Sequence, residues 1–538
     1  MSTQRKISST QIFITGLFLL LFLFGNQYSQ IQNFRVSNEF ANYPEEVSIA
    51  VNPLNPNCIA VGSNLDYIYY SLDGGQTWTQ NKMSSSHGVW GDPCLIYDGL
   101  GNLYFGHLSN PNEGYWIDRI VVQKSTDFGV SWSDGVGVGF NPPTRVQDKE
   151  WLGVDLTSSQ YRNNLYMSWT QFDQYGSSAP TDSSIIRFSR STNQGETWSD
   201  AVRVSDLGGD CIDSDNTVEG AVPCVGPNGE VYLSWSGPLG IMFDKSLNGG
   251  QTFGKDIFVT QLYAGWDLTI PGINRCNGMP VTCCDISSSP FRGTIYINWS
   301  DQKNSSSDTD IFLAKSTDGG NTWSTPIKVN NDESGRHQFF TWMSVDPSNG
   351  YIYLVCYDRR NTQNNTTEVY LARSKDGGDT FENFKISETP FQPVREVFFG
   401  DYITVVALNG KIFPVWTRMD NNILSIWSDV LEDSDLIVSI DENSEAVEKF
   451  YLGQNYPNPF NPSTNINFYI SDDSFVTLKV YDVLGEEIAS LVNDNLKKGN
   501  HEIKYDISRN ENIKASTILF YRLKTENYSS TKKMVYLK

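Results

Sequence analysis

The sequence predicts an all-β protein: a long array of short strands, followed by a small β-sandwich. Three observations carry this reading. A turn-forming unit recurs six times between Ser71 and Phe381. Composition favours strands and tight turns, with 27 Tyr, 29 Phe, 14 Trp and 43 Gly in 538 residues. Beyond Tyr451 the chain changes character and alternates apolar with polar residues, as in Val476 to Tyr481 and Ile503 to Tyr505. A chain of this length exceeds one ordinary core, so a repeat array plus a separate domain is the natural division.

The first element is an export signal over residues 1–30. Arg5 and Lys6 precede an apolar run from Ile12 to Phe24, and polar Gln27, Ser29 and Gln30 follow. The run is shorter than the roughly 20 residues a bilayer span needs, and no later segment is apolar enough, so no transmembrane segment is expected in the mature chain. Cleavage between Gly25 and Gln30 removes Arg5 and Lys6 and takes the formal net charge from −22 to −24. Such a surface repels nucleic acid and anionic membranes, which excludes both as main partners.

Residues 31–430 form the array. The unit Ser-x-Asp/Asn-x-Gly-x-Thr/Ser-Trp/Phe begins at Ser71, Ser125, Ser191, Ser246, Ser316 and Ser374, at spacings of 54 to 70 residues. Its physics is that of a hairpin turn. The Asp or Asn side chain bonds backbone N–H groups of its own turn, Gly supplies a positive φ, and the aromatic plugs the core below. Each spacing holds four strands, the fourth following the turn, as in Val202–Ser205, Ile327–Asn330 and Phe384–Ser387. A last three-strand unit, Asp401 to Ala407, Lys411 to Thr417 and Ile423 to Ser428, lacks the turn motif. Phe34-Arg35-Val36-Ser37 matches the fourth-strand pattern and is expected to complete it, leaving no exposed edge.

These six motifs resemble the Asp boxes, or BNR repeats, of sialidase-like β-propellers. The resemblance implies a seven-bladed (alternatively six-bladed) β-propeller, with the boxes on the periphery and away from any active site. Sialidases hold the substrate carboxylate with three arginines and use a Tyr nucleophile assisted by Glu, with an Asp as acid/base. Phe34-Arg35 matches the first two residues of their Phe/Tyr-Arg-Ile-Pro signature, but Val36-Ser37 does not continue it. Arg145, Arg162, Arg275, Arg292, Arg336, Arg359, Arg360, Arg395 and Arg418 are loop candidates among which spacing does not choose.

The polar stretch 431–450 carries Asp433, Asp435, Asp441, Glu442, Glu445 and Glu448 without apolar periodicity and reads as an acidic linker. The tail, 451–538, opens Asn455-Tyr456-Pro457-Asn458-Pro459-Phe460 and ends in Lys532, Lys533 and Lys538. It resembles the C-terminal sorting domain of the type IX secretion system. That resemblance implies the secretion machinery as a partner and a secreted or outer-membrane-attached location in a Gram-negative, Bacteroidetes-like bacterium.

First strands of a propeller line its channel, and ligands sit at one mouth. Acids open several of them: Glu45 and Glu46, Asp92, Asp148 and Glu150, Glu219, and Asp401. Glu46, Asp92, Glu150 and Asp401 are the candidate catalytic or ligand-binding residues, since converging carboxylates raise one another's pKa. The competing reading is that they cap turns. Trp90, Tyr115, Trp116, Tyr175 and Trp266 lie in long loops where rings stack on sugars. Cys211 with Cys224, and Cys276 with Cys283 or Cys284, are close enough in sequence to staple loops, while Cys58, Cys94 and Cys356 read as buried hydrophobes.

No cofactor is expected. The acidic balance is compatible with bound Ca²⁺ but lacks calcium-loop spacing, and a zinc site lacks paired C-x-x-C. Nucleophile-elbow, phosphate-loop and H-E-x-x-H motifs are absent. Two functions follow: a glycan-binding or surface-recognition propeller without catalysis, and a glycoside hydrolase of exo-α-sialidase type. Fold alone does not decide between them.

Overall fold

The computed structural model describes residues 33–436 and 450–538, apart from 142–144, 334, 363, 454, 456, 471, 484, 510–514 and 526–528. The expected signal peptide lies outside these residues, as do residues 437–449 of the expected linker. The chain divides into two compact units between Val438 and Ser439.

In the first unit, seven antiparallel sheets follow one another along the chain, six of four strands and the last of five. Their first strands are Ser48–Val51, Cys94–Tyr97, Val146–Val154, Glu219–Val225, Val281–Cys284, Gln338–Val345 and Thr404–Leu408. Each packs on the first strand of the next sheet, and the seventh packs on the first, so the sheets close into a ring. All seven first strands line a central channel of about 310 Å³. Because sheets pack face to face around the ring, most second strands are buried on both faces and not at alternate residues. Leu103–Leu108 and Val231–Gly237 are buried at every residue.

Every third strand but the last ends on the Ser that opens a turn unit: Ser71, Ser125, Ser191, Ser246, Ser316 and Ser374. In the first, Ser71 Oγ donates to Asp73 Oδ1 at 2.8 Å and accepts from the Gly75 N–H at 2.9 Å. Asp73 Oδ1 accepts from the Thr77 N–H at 3.0 Å, and the Trp78 indole donates to Gly75 O at 3.0 Å. The same serine–glycine bond, at 2.9 Å, recurs in the other five. The turn is therefore built almost wholly from local side-chain-to-backbone bonds, which is why it shows as a motif.

The ring is closed by a strand from the start of the described chain. Phe34–Arg35 pairs with Ile423–Ser428, placing Phe34 opposite Ser428 and Arg35 opposite Trp427. The Val36 N–H then donates to Ile426 O at 2.8 Å, and the Ile426 N–H to Ser37 Oγ at 2.9 Å. Arg35 is exposed on this outer strand, far from the channel-lining strands.

Three expectations are corrected. Leu431–Leu436, read as the start of a linker, belongs to the first unit: Leu431–Glu432 pairs with Lys411–Ile412, Leu431 and Leu436 are buried, and Asp433 bridges Arg373 at 2.9 Å and Lys375 at 3.1 Å. All eight cysteines are free thiols. The proposed staples fail because their members pack into different apolar clusters: Cys211 and Cys283 into one, Cys224 and Cys284 into a second, and Cys276 into a third. Trp266 is not an exposed loop ring but is buried, its indole donating to Thr217 O at 3.1 Å.

The second unit is a sandwich of a three-stranded sheet, Phe450–Leu452, Ser463–Ile470 and Gly499–Asp506, and a four-stranded one, Glu487–Leu496, Ser474–Tyr481, Thr517–Lys524 and Ser529–Tyr536. Ser463–Ile470 buries alternate residues, and Phe468, Ile470, Val480, Leu519, Tyr521 and Met534 form its core.

Candidate functional site: a charged mouth over an aromatic floor

The first strands begin with a shared backbone kink. Glu46, Asp92, Lys149, Gly220 and Phe340 occupy the left-handed region, with φ of 55°, 52°, 51°, 81° and 50°. Bulges break the register between Asp148 and Trp151, Glu219 and Val222, and Phe339 and Trp342. Non-glycine residues adopt such φ values only under tertiary constraint, and bulges re-aim side chains at strand ends. Here the kink brings Glu46, Asp92 and Lys149, from three successive sheets, into one cluster.

Asp401 is the centre of that cluster. Lys149 Nζ lies 2.5 Å from Asp401 Oδ2, 3.3 Å from Asp92 Oδ2 and 4.0 Å from Glu46 Oε1. Arg275, on the short strand Cys276–Asn277's approach to the mouth, donates to both oxygens of Asp401, through Nε at 2.9 Å and through Nη2. Its Nη1 reaches Asp213 Oδ2 at 3.3 Å. Asn64 ties the other side, donating to Glu46 and accepting the Asp92 N–H at 2.7 Å, while Asn277 donates to the Asp401 carbonyl at 2.9 Å. Of the four predicted residues, Glu46, Asp92 and Asp401 thus meet on one ammonium. Glu150 does not join them: it is buried with neither carboxyl oxygen hydrogen-bonded, because the kink falls at Lys149.

Burial and charge set the protonation states. Burial opposes ionisation of Asp401, but Lys149 and Arg275 override it and hold this carboxyl far below the usual range. Burial first, then Asp92, push Glu46 and Glu150 well above that range. Glu219 is raised by burial and by Asp213, Asp148 by burial and Asp92 to about 7, and Glu45 by the same two causes to about 8. The mouth therefore holds an ionised carboxylate among several that favour protonation at neutral pH.

Trp151, Trp342 and Tyr402 form the floor. Trp151 packs tilted against Trp342 at 4.3 Å and edge-on against Tyr402 at 5.0 Å, centroid to centroid. The two tryptophans line both the channel and a small outer cavity bounded by Lys149, Asn277 and Asp401, and so divide the polar mouth from the apolar channel. On the rim, Trp116, 46% exposed, meets Tyr175 edge-on at 6.1 Å, and the Tyr175 hydroxyl donates to Asp213 Oδ2 at 2.5 Å. Trp90 and Tyr115 are exposed as expected for loop rings.

Of the nine candidate arginines, Arg275 alone bonds to mouth carboxylates among the described residues. Arg145 pairs with Asp173, Arg360 with Asp358 and Arg418 with Asp420, while Arg162, Arg292 and Arg359 donate to backbone carbonyls. Sequence reasoning missed Lys149, although it sits between Asp148 and Glu150. It also passed over Asp213, Asn64 and Asn277, which lie in loops without a repeat position.

Residues 454–537 match the family of secretion system C-terminal sorting domains. This tail makes the chain a secreted or outer-surface protein of Bacteroidetes-type bacteria that engages the type IX secretion machinery. No curated protein matches the sequence. Among solved structures the chain is similar to the Hadza microbial sialidase Hz136, at 12% identity over 71% of this chain and 74% of that one, TM-score 0.41. It is also similar to the GH93 α-L-arabinofuranosidase of Fusarium graminearum with arabinobiose, at 11% identity over 64% and 93%, TM-score 0.43. A third is the NanB sialidase of Streptococcus pneumoniae, at 10% identity over 66% and 70%, TM-score 0.42. Among the described residues no helix is long and apolar enough to cross a membrane.

Proposed function

We propose that this is a non-catalytic glycan-recognition propeller, delivered to the cell surface or medium by its sorting tail, with its ligand seated at the charged mouth. The observation that supports this most is the adjacency of a ring pair, exposed Trp116 and half-buried Tyr175, to the polar cluster around Asp401 and Asp213. Rings offer a stacking face for a pyranose, and fixed carboxylates orient its polar substituents. Against sialidase chemistry, Arg275 is spent on Asp401 and Asp213, and no other candidate arginine among the described residues bonds to the mouth carboxylates, which leaves no arginine triad there for a substrate carboxylate. Glycan-array binding by the mature chain tests the reading. Trp116→Ala is expected to lose most of the signal without lowering the melting temperature, and an unchanged array would overturn it.

A hydrolase reading has one observation in its favour. Glu219, raised by burial and by neighbouring Asp213, is the kind of protonated acid that glycoside cleavage needs. Incubation with fluorogenic sialosides and arabinosides decides it: turnover abolished by Glu219→Gln would establish catalysis and replace the recognition-only reading.

A further inference from the structure

We propose that the mouth recognises its glycan through a protonated amine, so that the ligands are sugars bearing free amino groups and not anionic sugars; this rests on the glycan-recognition reading above. Charge is the first argument. Carboxyl groups from Glu46, Asp92, Asp148, Asp213, Glu219 and Asp401 converge, and among the described residues Lys149 and Arg275 are the cations that oppose them. Both cations are already engaged, Lys149 by Asp401 and Asp92, Arg275 by Asp401 and Asp213. Among the described residues an incoming carboxylate or sulfate meets no free cation in this cluster, whereas an ammonium meets an excess of acceptors.

Unsatisfied carboxyls are the second argument. Glu219 is fully buried, its carboxyl oxygens receive no N–H or hydroxyl donor among the described residues, and its side-chain partner is another acid, Asp213. Asp148 adds a further like charge, and Lys149 opposes them. Buried carboxyls of native proteins are almost always met by N–H or O–H donors or by a cation, so one left facing a second carboxyl at a ligand mouth marks a bond to be made with something brought in. The third argument is position. Asp213 is the member of the cluster bonded to Tyr175, and Tyr175 touches the exposed Trp116, so a sugar stacked on that ring pair carries its substituents toward Asp213 and Glu219.

A proton balance follows. An ammonium entering beside carboxyls that favour protonation stabilises their ionised forms, so binding expels protons to solvent. The experiment is isothermal titration of the mature full chain at pH 6 with fully deacetylated chitosan tetramer, its N-acetylated counterpart and sialyllactose, each in buffers of different ionisation enthalpy. The expected result is at least about tenfold tighter binding of the deacetylated tetramer, the free-energy equivalent of one charge-assisted hydrogen bond, with buffer-dependent heats that report proton release. Asp213→Asn should weaken that ligand by about tenfold. Should that variant fail to fold, the wild-type comparison of the two tetramers carries the test alone. Equal binding of acetylated and deacetylated tetramers, or preference for sialyllactose, overturns the amine proposal and leaves glycan recognition standing. Failure of every glycan on an array overturns both.

Discussion

Asp401 accepts from both Lys149 and Arg275, and its behaviour on substitution separates charge from shape. Asp401→Asn leaves buried Lys149 and half-buried Arg275 beside an amide; losing one partner of a buried ion pair costs about 3–5 kcal/mol, and the exposure of Arg275 lowers its share. Glu46 and Asp92 remain beside Lys149, so chemical denaturation is expected to show a loss near the lower end of that range. Glu150→Gln, by contrast, removes an acid that gains nothing from ionising where it lies, and is expected to leave stability unchanged or higher at pH 8. The pH profile follows from the same groups. Asp401 has a depressed folded pKa, so its contribution is present above the unfolded value near 4 and is lost as pH falls below it. Glu45 and Asp148 are raised, to about 8 and about 7, so the folded state binds more protons between pH 4 and 8 and stability declines as pH rises through that window. A melting temperature highest between about pH 4 and 5 is expected, flattening on its alkaline side in Glu45→Gln with Asp148→Asn. The positions of these acids at strand starts were legible in the sequence. Their pairing was not, because the kink that selects Lys149 over Glu150 depends on neighbouring sheets, and Arg275 reaches Asp401 across 126 residues.

At the scale of the element, the turn unit was readable because nearly all its bonds lie within seven residues. Its glycine illustrates why. Gly320 has φ of 81°, and a Cβ there would lie 2.3 Å from the Phe243 ring of the preceding sheet. Gly320→Ala therefore combines backbone strain of about 1–2 kcal/mol with a steric clash in the packing between sheets. A fall in melting temperature with unchanged glycan binding is expected; altered binding would mean that the periphery and the mouth are coupled. The closing strand was readable for a related reason, since Phe34–Ser37 repeats a pattern seen after other turns. The linker's start was misjudged because Leu431 and Leu436 are too few to show periodicity, while the salt bridges of Asp433 are made to residues about 60 positions earlier. The cysteine staples failed for the same physical reason: closeness in sequence does not bring side chains into one apolar cluster.

For the molecule as a whole, the ring geometry explains why equivalent repeat positions become a site at all. Strand starts that are tens of residues apart in sequence meet around one axis, whereas the turn units stay at the third-strand ends. The two compact units have separate hydrophobic cores, one distributed over the sheets of the ring and one centred on Phe468, Leu519 and Tyr521. Ring closure uses Phe34–Ser37, so among the described residues the last sheet of the ring is completed by the first unit's own chain. Deleting residues 450–538 is therefore expected to leave a protein that melts cooperatively, at the same temperature within a few degrees, and that still binds ligand at the mouth. Deleting residues 33–37 instead uncovers the edge of Ile423–Ser428 and is expected to cause concentration-dependent association. In the native host the tail deletion should abolish surface delivery while the folded ring accumulates inside the cell envelope, as fractionation and immunoblotting would show. If the truncated ring aggregates, the two cores depend on each other for folding; if it still reaches the surface, the tail is not the sorting signal for this chain.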